Sequence, residues 1–306
     1  MLDKVRTTRM LIGIATASVL ALAAGCSNST APKSHQPPPL LPGPRFYLSL
    51  GDSLSQGVQP SVLGQSHPTI GGYPNKLYAV LSSKHPDWRL TKLGCSGETT
   101  RTMIRGGICR YAEGSQLAQA KTFLRAHRGH VGLITIDIGA NDPNNCIIGS
   151  VPASKIVSCM GTSIKGTQAD LHTIMGGLRT AAGRGVPIVA MSYYVPELAG
   201  WLDGLTGKEI AVLTERLVSG YNKILNGIYR HYGARVANVF GAFHSGDFTD
   251  KVKLPGFGVL PRNVAAICEY TWACARWPQG PNEHANDLGY GVIALAFLLA
   301  DPQLSG

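Results

Sequence analysis

The chain has 306 residues, of which 44% are hydrophobic, and it carries a formal net charge of +10. Its length and apolar content suffice for one sizeable core, and they favour one folded domain over two because no second linker interrupts the sequence. The positive charges are scattered without a run of Lys and Arg, so we expect a basic soluble surface and no nucleic-acid partner. We also expect a monomer.

Residues 1–25 have the pattern of a bacterial lipoprotein signal peptide. A positively charged start precedes an apolar stretch at 10–24, which is too short to span a membrane comfortably. The stretch ends in small residues followed by Cys26, which we expect to become the lipid-modified first residue of the mature protein. The alternative is ordinary secretory cleavage near Ala24, without a lipid.

Residues 26–44 are rich in Ser and Pro and include the run "HQPPPLLPGP". Such a composition is typical of an extended tether, so we expect the folded domain to occupy 45–306. The predicted location is outside the cytoplasm, with the protein anchored to the cell membrane through Cys26, or otherwise secreted.

Six cysteines remain once Cys26 is set aside. An even number in an exported chain indicates three disulfides, and we favour pairing between sequence neighbours because each such pair brackets one loop between predicted elements. The expected bonds are Cys95–Cys109, Cys146–Cys159 and Cys268–Cys274. A metal site is the weaker alternative, since neither a CxxC nor an HExxH pattern occurs.

Apolar runs and helical patterns alternate along the domain. The predicted strands are 46–50, 89–93, 131–138, 187–194 and 235–240, and the predicted helices are about 74–83, 115–126, 167–184, 208–232 and 287–300. The third strand, "VGLITIDIG", is a nearly continuous apolar run of the kind found in strands covered on both faces. The alternation predicts an α/β fold, a three-layer α/β/α sandwich with a five-stranded, mostly parallel sheet.

Three loops that follow predicted strands are rich in Gly, Ser and Asn, namely "GDSLSQG", "GCSGETT" and "GANDPNN". Ligands of open parallel sheets bind beyond the carboxyl ends of the strands, so these loops are the candidate site. The sequence contains neither the G-x-S-x-G pattern of α/β-hydrolases nor a Walker motif.

Four sequence blocks occur in a characteristic order: "GDSLS" with Ser53, "GCSGETT" with Gly97, "GAND" with Asn141, and "PNEHANDLGY" with His284. The chain from about residue 46 to 299 thereby resembles the SGNH, or GDSL, hydrolase family. The close cysteine pair in "ICEYTWACARW" resembles the three-disulfide branch of secreted bacterial esterases and lipases. The resemblance implies a flavodoxin-like fold and a serine ester hydrolase that needs neither a metal nor an organic cofactor.

The resemblance also implies a role for each block. Ser53 is the expected nucleophile, and His284 is the expected base because an imidazole exchanges protons near neutral pH. The backbone N–H groups of Ser53 and Gly97 and the side-chain amide of Asn141 form the expected oxyanion hole. Each residue also has a structural alternative: a helix cap for Ser53, a turn for Gly97, an Asx turn for Asn141 and a surface position for His284.

The sequence departs from the family at one position. The family commonly has Asp three residues before its histidine, where this chain has Pro281. Glu283 is adjacent to His284, so its side chain should point elsewhere, and Asp287 lies where a helix N-cap is expected. We therefore expect a Ser–His dyad in which a backbone carbonyl near Pro281, or the side-chain oxygen of Asn282, orients the ring.

The sequence thus predicts an exported serine esterase or lipase that acts on a small-molecule or lipid ester. One alternative uses the same residues in a carbohydrate O-acetyl esterase or an acyltransferase. An alternative of another class is a non-catalytic envelope binding protein on a hydrolase fold, which the missing Asp would favour and the complete set of four blocks disfavours.

Overall fold

The computed structural model describes residues 42–143 and 153–304. Its strands are β1 Arg45–Gly51, β2 Gln59–Pro60, β3 Ser66–His67, β4 Trp88–Lys92, β5 Val131–Asp137, β6 Ile188–Met191, β7 Arg235–Ala237, β8 Lys251–Leu254 and β9 Gly258–Pro261. The α-helices are α1 Ser53–Gln56, α2 Tyr73–Lys84, α3 Thr100–Arg105, α4 Gln116–Ala126, α5 Ala153–Ala182, α6 Gly204–His231, α7 Val239–Ala242, α8 Arg262–Tyr270 and α9 Asp287–Ala300. Two 3₁₀ segments, Pro196–Asp203 and Pro302–Leu304, complete the described elements.

The central sheet has the order β4-β1-β5-β6-β7, and each adjacent pair is parallel. Parallel strands need long crossovers, which the helices supply, and helices therefore cover the sheet. After β1 the chain crosses to β4 on one side of the sheet, whereas after β5 it crosses to β6 on the other side. The order of the strands therefore reverses between β1 and β5. Such a reversal opens a crevice at the carboxyl ends of β1 and β5, and the candidate loops follow both strands.

The middle of the sheet is entirely buried, which explains its apolar sequence. Leu48, Leu50, Ile134 and Ile136 have no solvent exposure. Leu50 stands opposite Ile136 in the ladder between β1 and β5, and the next pair is Gly51 and Asp137. The two strands therefore end side by side, and their following loops start from one edge.

The predicted three-layer fold and five-stranded sheet are confirmed, but two predicted strands extended three residues too far. β6 ends at Met191 rather than residue 194, because the backbone N–H and C=O of Tyr193 are both bonded to the side chain of Asn222, each at 2.8 Å. β7 ends at Ala237 rather than residue 240, because the Asn238 side chain caps the short helix α7.

Other differences lie outside the sheet. Helix α5 begins at Ala153 instead of residue 167. The hairpin of β8 and β9 and helix α8 were not predicted. None of the described helices is long and apolar enough to cross a membrane.

Two disulfides join sequence neighbours, Cys95 to Cys109 and Cys268 to Cys274. Cys159 is disulfide-bonded as well, and its expected partner Cys146 lies outside the described residues. Disulfides are typical of an oxidising, extracytoplasmic compartment. Cys26, the predicted signal peptide and residues 26–41 of the predicted tether also lie outside the described residues.

Candidate active site

The candidate nucleophile lies on a tight turn directly after β1. Gly51 has a φ of +135°, and a Cβ atom at this position would lie 2.2 Å from the carbonyl oxygen of Asp137. Only glycine fits such a conformation and such a close approach. The next residue, Asp52, caps helix α1, and Ser53 is the first residue of that helix and is half-buried.

The amino terminus of α1 leaves one backbone donor available. The N–H of Leu54 donates to Asp52 Oδ1 at 3.0 Å, and the N–H of Ser55 donates to Asp137 Oδ2 at 3.2 Å. The N–H of Ser53 has no hydrogen-bond partner among the described residues. An unpaired N–H at a helix start is suited to binding negative charge, as an oxyanion hole requires.

Two buried carboxyl groups lie beneath this turn. Burial, with smaller effects from neighbouring acids, raises the pKa of Asp52 to about 6. Burial, and next the charge of Asp52, raises the pKa of Asp137 well above its ordinary value. The hydroxyl of Tyr73 donates to Asp137. The protonated form of Asp137 is thus favoured, which avoids two adjacent negative charges in the interior.

The loop after β4 contains Gly97 in a left-handed conformation, with a φ of +79°. The turn is closed by the N–H of Glu98, which donates to the carbonyl of Cys95 at 3.0 Å. The N–H of Gly97 has no partner among the described residues, and the space that a Cβ would occupy is open to at least 4 Å. Glycine is therefore required here by conformation rather than by a neighbouring atom.

The loop after β5 is tied to the Gly97 loop at two points. The side-chain Nδ2 of Asn141 donates to the carbonyl of Glu98 at 2.9 Å. The carboxylate of Asp142 accepts the N–H of Thr100 at 3.0 Å and also the Thr100 hydroxyl. These contacts place the amide of Asn141 beside the Gly97 turn.

His284 is 8% exposed, and its ring is held by the side chain of Asn282. Asn282 Oδ1 accepts the backbone N–H of His284 at 3.0 Å, which identifies this atom as the amide oxygen. The same oxygen lies 2.8 Å from Nδ1 of the ring. Because an amide oxygen only accepts, Nδ1 carries the proton of the neutral ring, and Nε2 is left with a free lone pair.

Burial lowers the pKa of His284, while the nearby charge of Glu283 acts in the opposite direction. Glu283 Oε1 lies 3.9 Å from Nδ1, but its side chain is 68% exposed, so water screens much of this effect. The neutral ring, which is the form that can accept a proton, is therefore favoured.

Neither Pro281 nor Asp287 forms a hydrogen bond with the ring in the described structure. Pro281, which follows a cis peptide bond, makes no hydrogen bond with His284 in the described structure. Asp287 is the first residue of α9 and pairs with Lys76 at 2.8 Å. The prediction that Asp287 caps this helix was wrong, because the capping side chain is that of Asn286.

The His284 loop packs against the segment that follows Ser53. Asn282 Nδ2 donates to Ser66 Oγ at 3.0 Å. The backbone N–H of Trp272 donates to the carbonyl of His284 at 3.0 Å, and its indole N–H donates to Gln59 Oε1 at 3.2 Å. Ser53 Oγ makes no hydrogen bond with any described residue, so a proton transfer to His284 requires the two groups to approach each other.

Four buried polar residues around the site were not singled out from the sequence: Asp52, Glu98, Gln116 and Asp137. Asp137 could have been noticed in the sequence, because an acidic residue within the apolar run of β5 is unusual. The roles of Glu98 and Gln116 depend on contacts between distant segments and had no local signal. Within 42–143 and 153–304, no group of three or more His, Cys, Asp or Glu side chains could hold a metal ion.

Comparisons with known proteins identify a family and similar folds. A family model described as the GDSL-like lipase/acylhydrolase family matches residues 49–292. An acetylxylan esterase from Geobacillus stearothermophilus is 16% identical, with a TM-score of 0.50, and the match covers 84% of this chain and 94% of that chain. A phospholipase A1 from Streptomyces albidoflavus NA297 is 17% identical, with a TM-score of 0.48 and coverage of 84% and 99%.

A search of curated proteins gives no match. The acetylxylan esterase shares too little sequence with this chain to indicate more than the fold. The family match, however, spans most of the chain and includes the loops that carry Ser53, Gly97, Asn141 and His284. The chain therefore belongs to the GDSL-like lipase/acylhydrolase family and is a carboxylic ester hydrolase.

Proposed function

We propose that the protein hydrolyses carboxylic esters in two acyl-transfer steps, with Ser53 as the nucleophile and His284 as its base. Ser53 Oγ attacks the carbonyl carbon while its proton moves to Nε2 of His284. The alcohol leaves with that proton, and the acyl group remains as an ester of Ser53. Water then attacks this acyl-enzyme and gives a proton to His284, which passes that proton to Ser53 Oγ as the ester bond breaks and the free acid is released.

The contact between Asn282 and His284 carries this proposal. A base that takes the serine proton must have an unprotonated nitrogen directed at the hydroxyl, so the tautomer of the ring has to be selected. Asn282 Oδ1, at 2.8 Å from Nδ1, supports the tautomer with the lone pair on Nε2. Asn282 is therefore the proposed orienting residue, in preference to Pro281.

We assign the oxyanion hole to the N–H groups of Ser53 and Gly97 and to the side-chain amide of Asn141. Ester cleavage builds negative charge on the carbonyl oxygen, and donors that are already in place stabilise this charge without reorganisation. The two N–H groups lack partners among the described residues, which supports their availability. Removing one such donor typically lowers kcat by about 100- to 1000-fold.

The proposed substrate is a small-molecule or lipid ester. A cavity of about 810 Å³ lies against the His284 loop, lined by Asn282 and Glu283 and by apolar residues that include Leu202 and Ile210. The cavity lies beside the proposed catalytic pair and not around it, because neither Ser53 nor His284 lines it. A carbohydrate O-acetyl ester or an acyl-transfer acceptor is the alternative use of the same residues.

The substrate assignment is tested with nitrophenyl esters of increasing acyl length, assayed beside acetylated sugars. We expect the wild-type protein to hydrolyse the nitrophenyl esters and Ser53→Ala to be inactive. Preferential deacetylation of sugars would instead support the carbohydrate esterase. Failure of the folded wild-type protein to cleave any ester would contradict the proposal.

We further propose that the protein works as a monomer outside the cytoplasm, anchored by a lipid on Cys26 and a tether of residues 26–44. Replacement of Cys26 by Ala should release the protein from membranes and leave ester hydrolysis unchanged, because the tether lies outside the catalytic domain. A wild-type protein that fractionates entirely as soluble, with no lipid on Cys26, would rule out the anchor.

A further inference from the structure

The side chain of Gln116 hydrogen-bonds to both backbone groups of Gly51, the last residue of β1, where the turn that carries Ser53 begins. The N–H of Gly51 donates to Gln116 Oε1 at 2.7 Å, and Gln116 Nε2 donates to the carbonyl of Gly51 at 2.9 Å. Gln116 is the first residue of α4 and has no solvent exposure. Because Gly51 lies two residues before Ser53, these two hydrogen bonds fix the backbone that carries the proposed nucleophile.

The second amide hydrogen of Gln116 extends the connection to the Gly97 loop. Gln116 Nε2 also lies 3.0 Å from Oε2 of Glu98, the residue that follows Gly97. The carbonyl of Glu98 in turn accepts the side-chain amide of Asn141. One hydrogen-bonded series therefore runs from the nucleophile strand, through Gln116 and Glu98, to both loops of the proposed oxyanion hole.

Glu98 occupies its position at a cost in folding free energy. The residue has no solvent exposure, and its Oε1 has no hydrogen-bond partner among the described residues. No described Lys, Arg or His lies within ion-pair distance of this carboxyl group. Burial of an incompletely paired carboxyl group is unfavourable, so an apolar side chain would satisfy folding alone at a lower cost. A buried residue that costs stability in this way is expected where it contributes to an active site.

We propose that Glu98 and Gln116 are positioning residues that set the distance between Ser53 and the oxyanion donors. Neither side chain needs to touch the substrate, since the effect passes through the backbone of Gly51 and the Gly97–Glu98 peptide. A displacement of about 1 Å at a reacting group can lower the rate roughly 100-fold. This inference rests on the proposed function, because it assumes that Ser53 and Gly97 act together.

The test compares two replacements of Glu98, one that removes the charge of the side chain and one that shortens it. Glu98→Gln loses the charge but keeps an oxygen at the same distance for Gln116, and we expect kcat within about 3-fold of wild type. Glu98→Asp keeps the charge but is one methylene shorter, and we expect kcat about 10- to 100-fold lower with KM within about 3-fold. Gln116→Leu should match Glu98→Asp, and the rate of fluorophosphonate labelling of Ser53 should fall in parallel.

Matched controls lie in the same part of the chain. Gln119→Leu replaces a glutamine of α4 outside the series, and Glu113→Gln replaces an exposed acid; both should keep the wild-type kcat. Circular dichroism and thermal melting establish that each variant is folded. If Gln116→Leu does not fold, the two Glu98 variants still decide the question.

The outcomes are distinct. Equal kcat values for Glu98→Gln and Glu98→Asp, or a greater loss in Glu98→Gln, would overturn the positioning role. A wild-type protein without esterase activity, or an active Ser53→Ala variant, would instead contradict the proposed function itself. Wild-type activity together with wild-type kinetics in all three variants would reject only the positioning role.

Discussion

The side-chain oxygen of Asn282 lies 2.8 Å from Nδ1 of His284 and also accepts the backbone N–H of that residue. One uncharged oxygen therefore holds the ring where a serine triad has a carboxylate. An amide oxygen fixes the tautomer, but it stabilises the imidazolium that forms during catalysis less than a negative charge does. The base is thus oriented without the electrostatic help of a buried acid.

Replacement of Asn282 separates orientation from charge. Asn282→Ala should lower kcat/KM by about 10- to 100-fold, because neither the tautomer nor the ring orientation is then fixed. Asn282→Asp places a carboxylate beside Nδ1, which should raise the pKa of His284 and move the acidic limb of the kcat/KM profile to higher pH. The profile is measured from about pH 4 to pH 9 with a nitrophenyl ester.

Asp287→Asn tests whether the Asp287 carboxylate acts as the third member of a catalytic triad. Asp287 pairs with Lys76 and not with the ring, so this variant should keep most of the wild-type activity. Loss of a true triad Asp lowers kcat by roughly 10⁴-fold. If folded Asp287→Asn were as inactive as His284→Ala, the dyad account would be wrong.

Glu283 should affect the pH dependence of the enzyme more than its maximal rate. Burial lowers the pKa of His284 and the Glu283 charge partly offsets this effect, so removal of the charge lowers the pKa further. Since the neutral ring is the active form, kcat/KM is lost as pH falls through this pKa. In Glu283→Gln the acidic limb should therefore move to lower pH, with the plateau nearly unchanged. A shift in the opposite direction would contradict the account.

Asp52 should make the protein less stable as pH rises from about 4 to about 6. Its pKa is about 6 in the folded protein and 3.8 in the unfolded chain, so the native state binds more protons in this window and stability falls as they dissociate. Asp52→Asn removes this loss, so its melting temperature relative to wild type should increase across the window. Above about pH 6 its free energy of unfolding should exceed that of the wild type by about 1–3 kcal/mol. A difference independent of pH would show that Asp52 is not destabilised by burial.

The sheet could be predicted from local sequence because its interior strands are buried on both faces and are therefore apolar. The same signal does not define strand ends. The run from 187 to 194 continues past β6, and the contact of Tyr193 with Asn222, which takes over its backbone hydrogen bonds, joins segments about 30 residues apart. In the hairpin of β8 and β9, polar and apolar residues alternate along β8, but that strand has only four residues and β9 does not alternate, so the pattern is too short to predict a hairpin.

The candidate site was predictable to the extent that its residues stand at strand ends. Ser53, Gly97 and Asn141 follow strands, and parallel topology alone brings such positions to one edge of the sheet. The choice between Pro281 and Asn282 as the orienting residue depends on side-chain geometry that spacing does not determine. The buried contacts of Gln116 cross 65 residues and leave no local pattern.

Covalent labelling of Ser53 tests the central claim most directly. The wild-type protein is treated with a fluorophosphonate and digested, and the modified peptide is identified by mass spectrometry. We predict one adduct, on Ser53 in the "GDSLS" segment, with labelling and ester hydrolysis both abolished in a folded Ser53→Ala protein. Undiminished labelling of Ser53→Ala, or ester hydrolysis that persists in this variant, would contradict the assignment of Ser53 as the nucleophile.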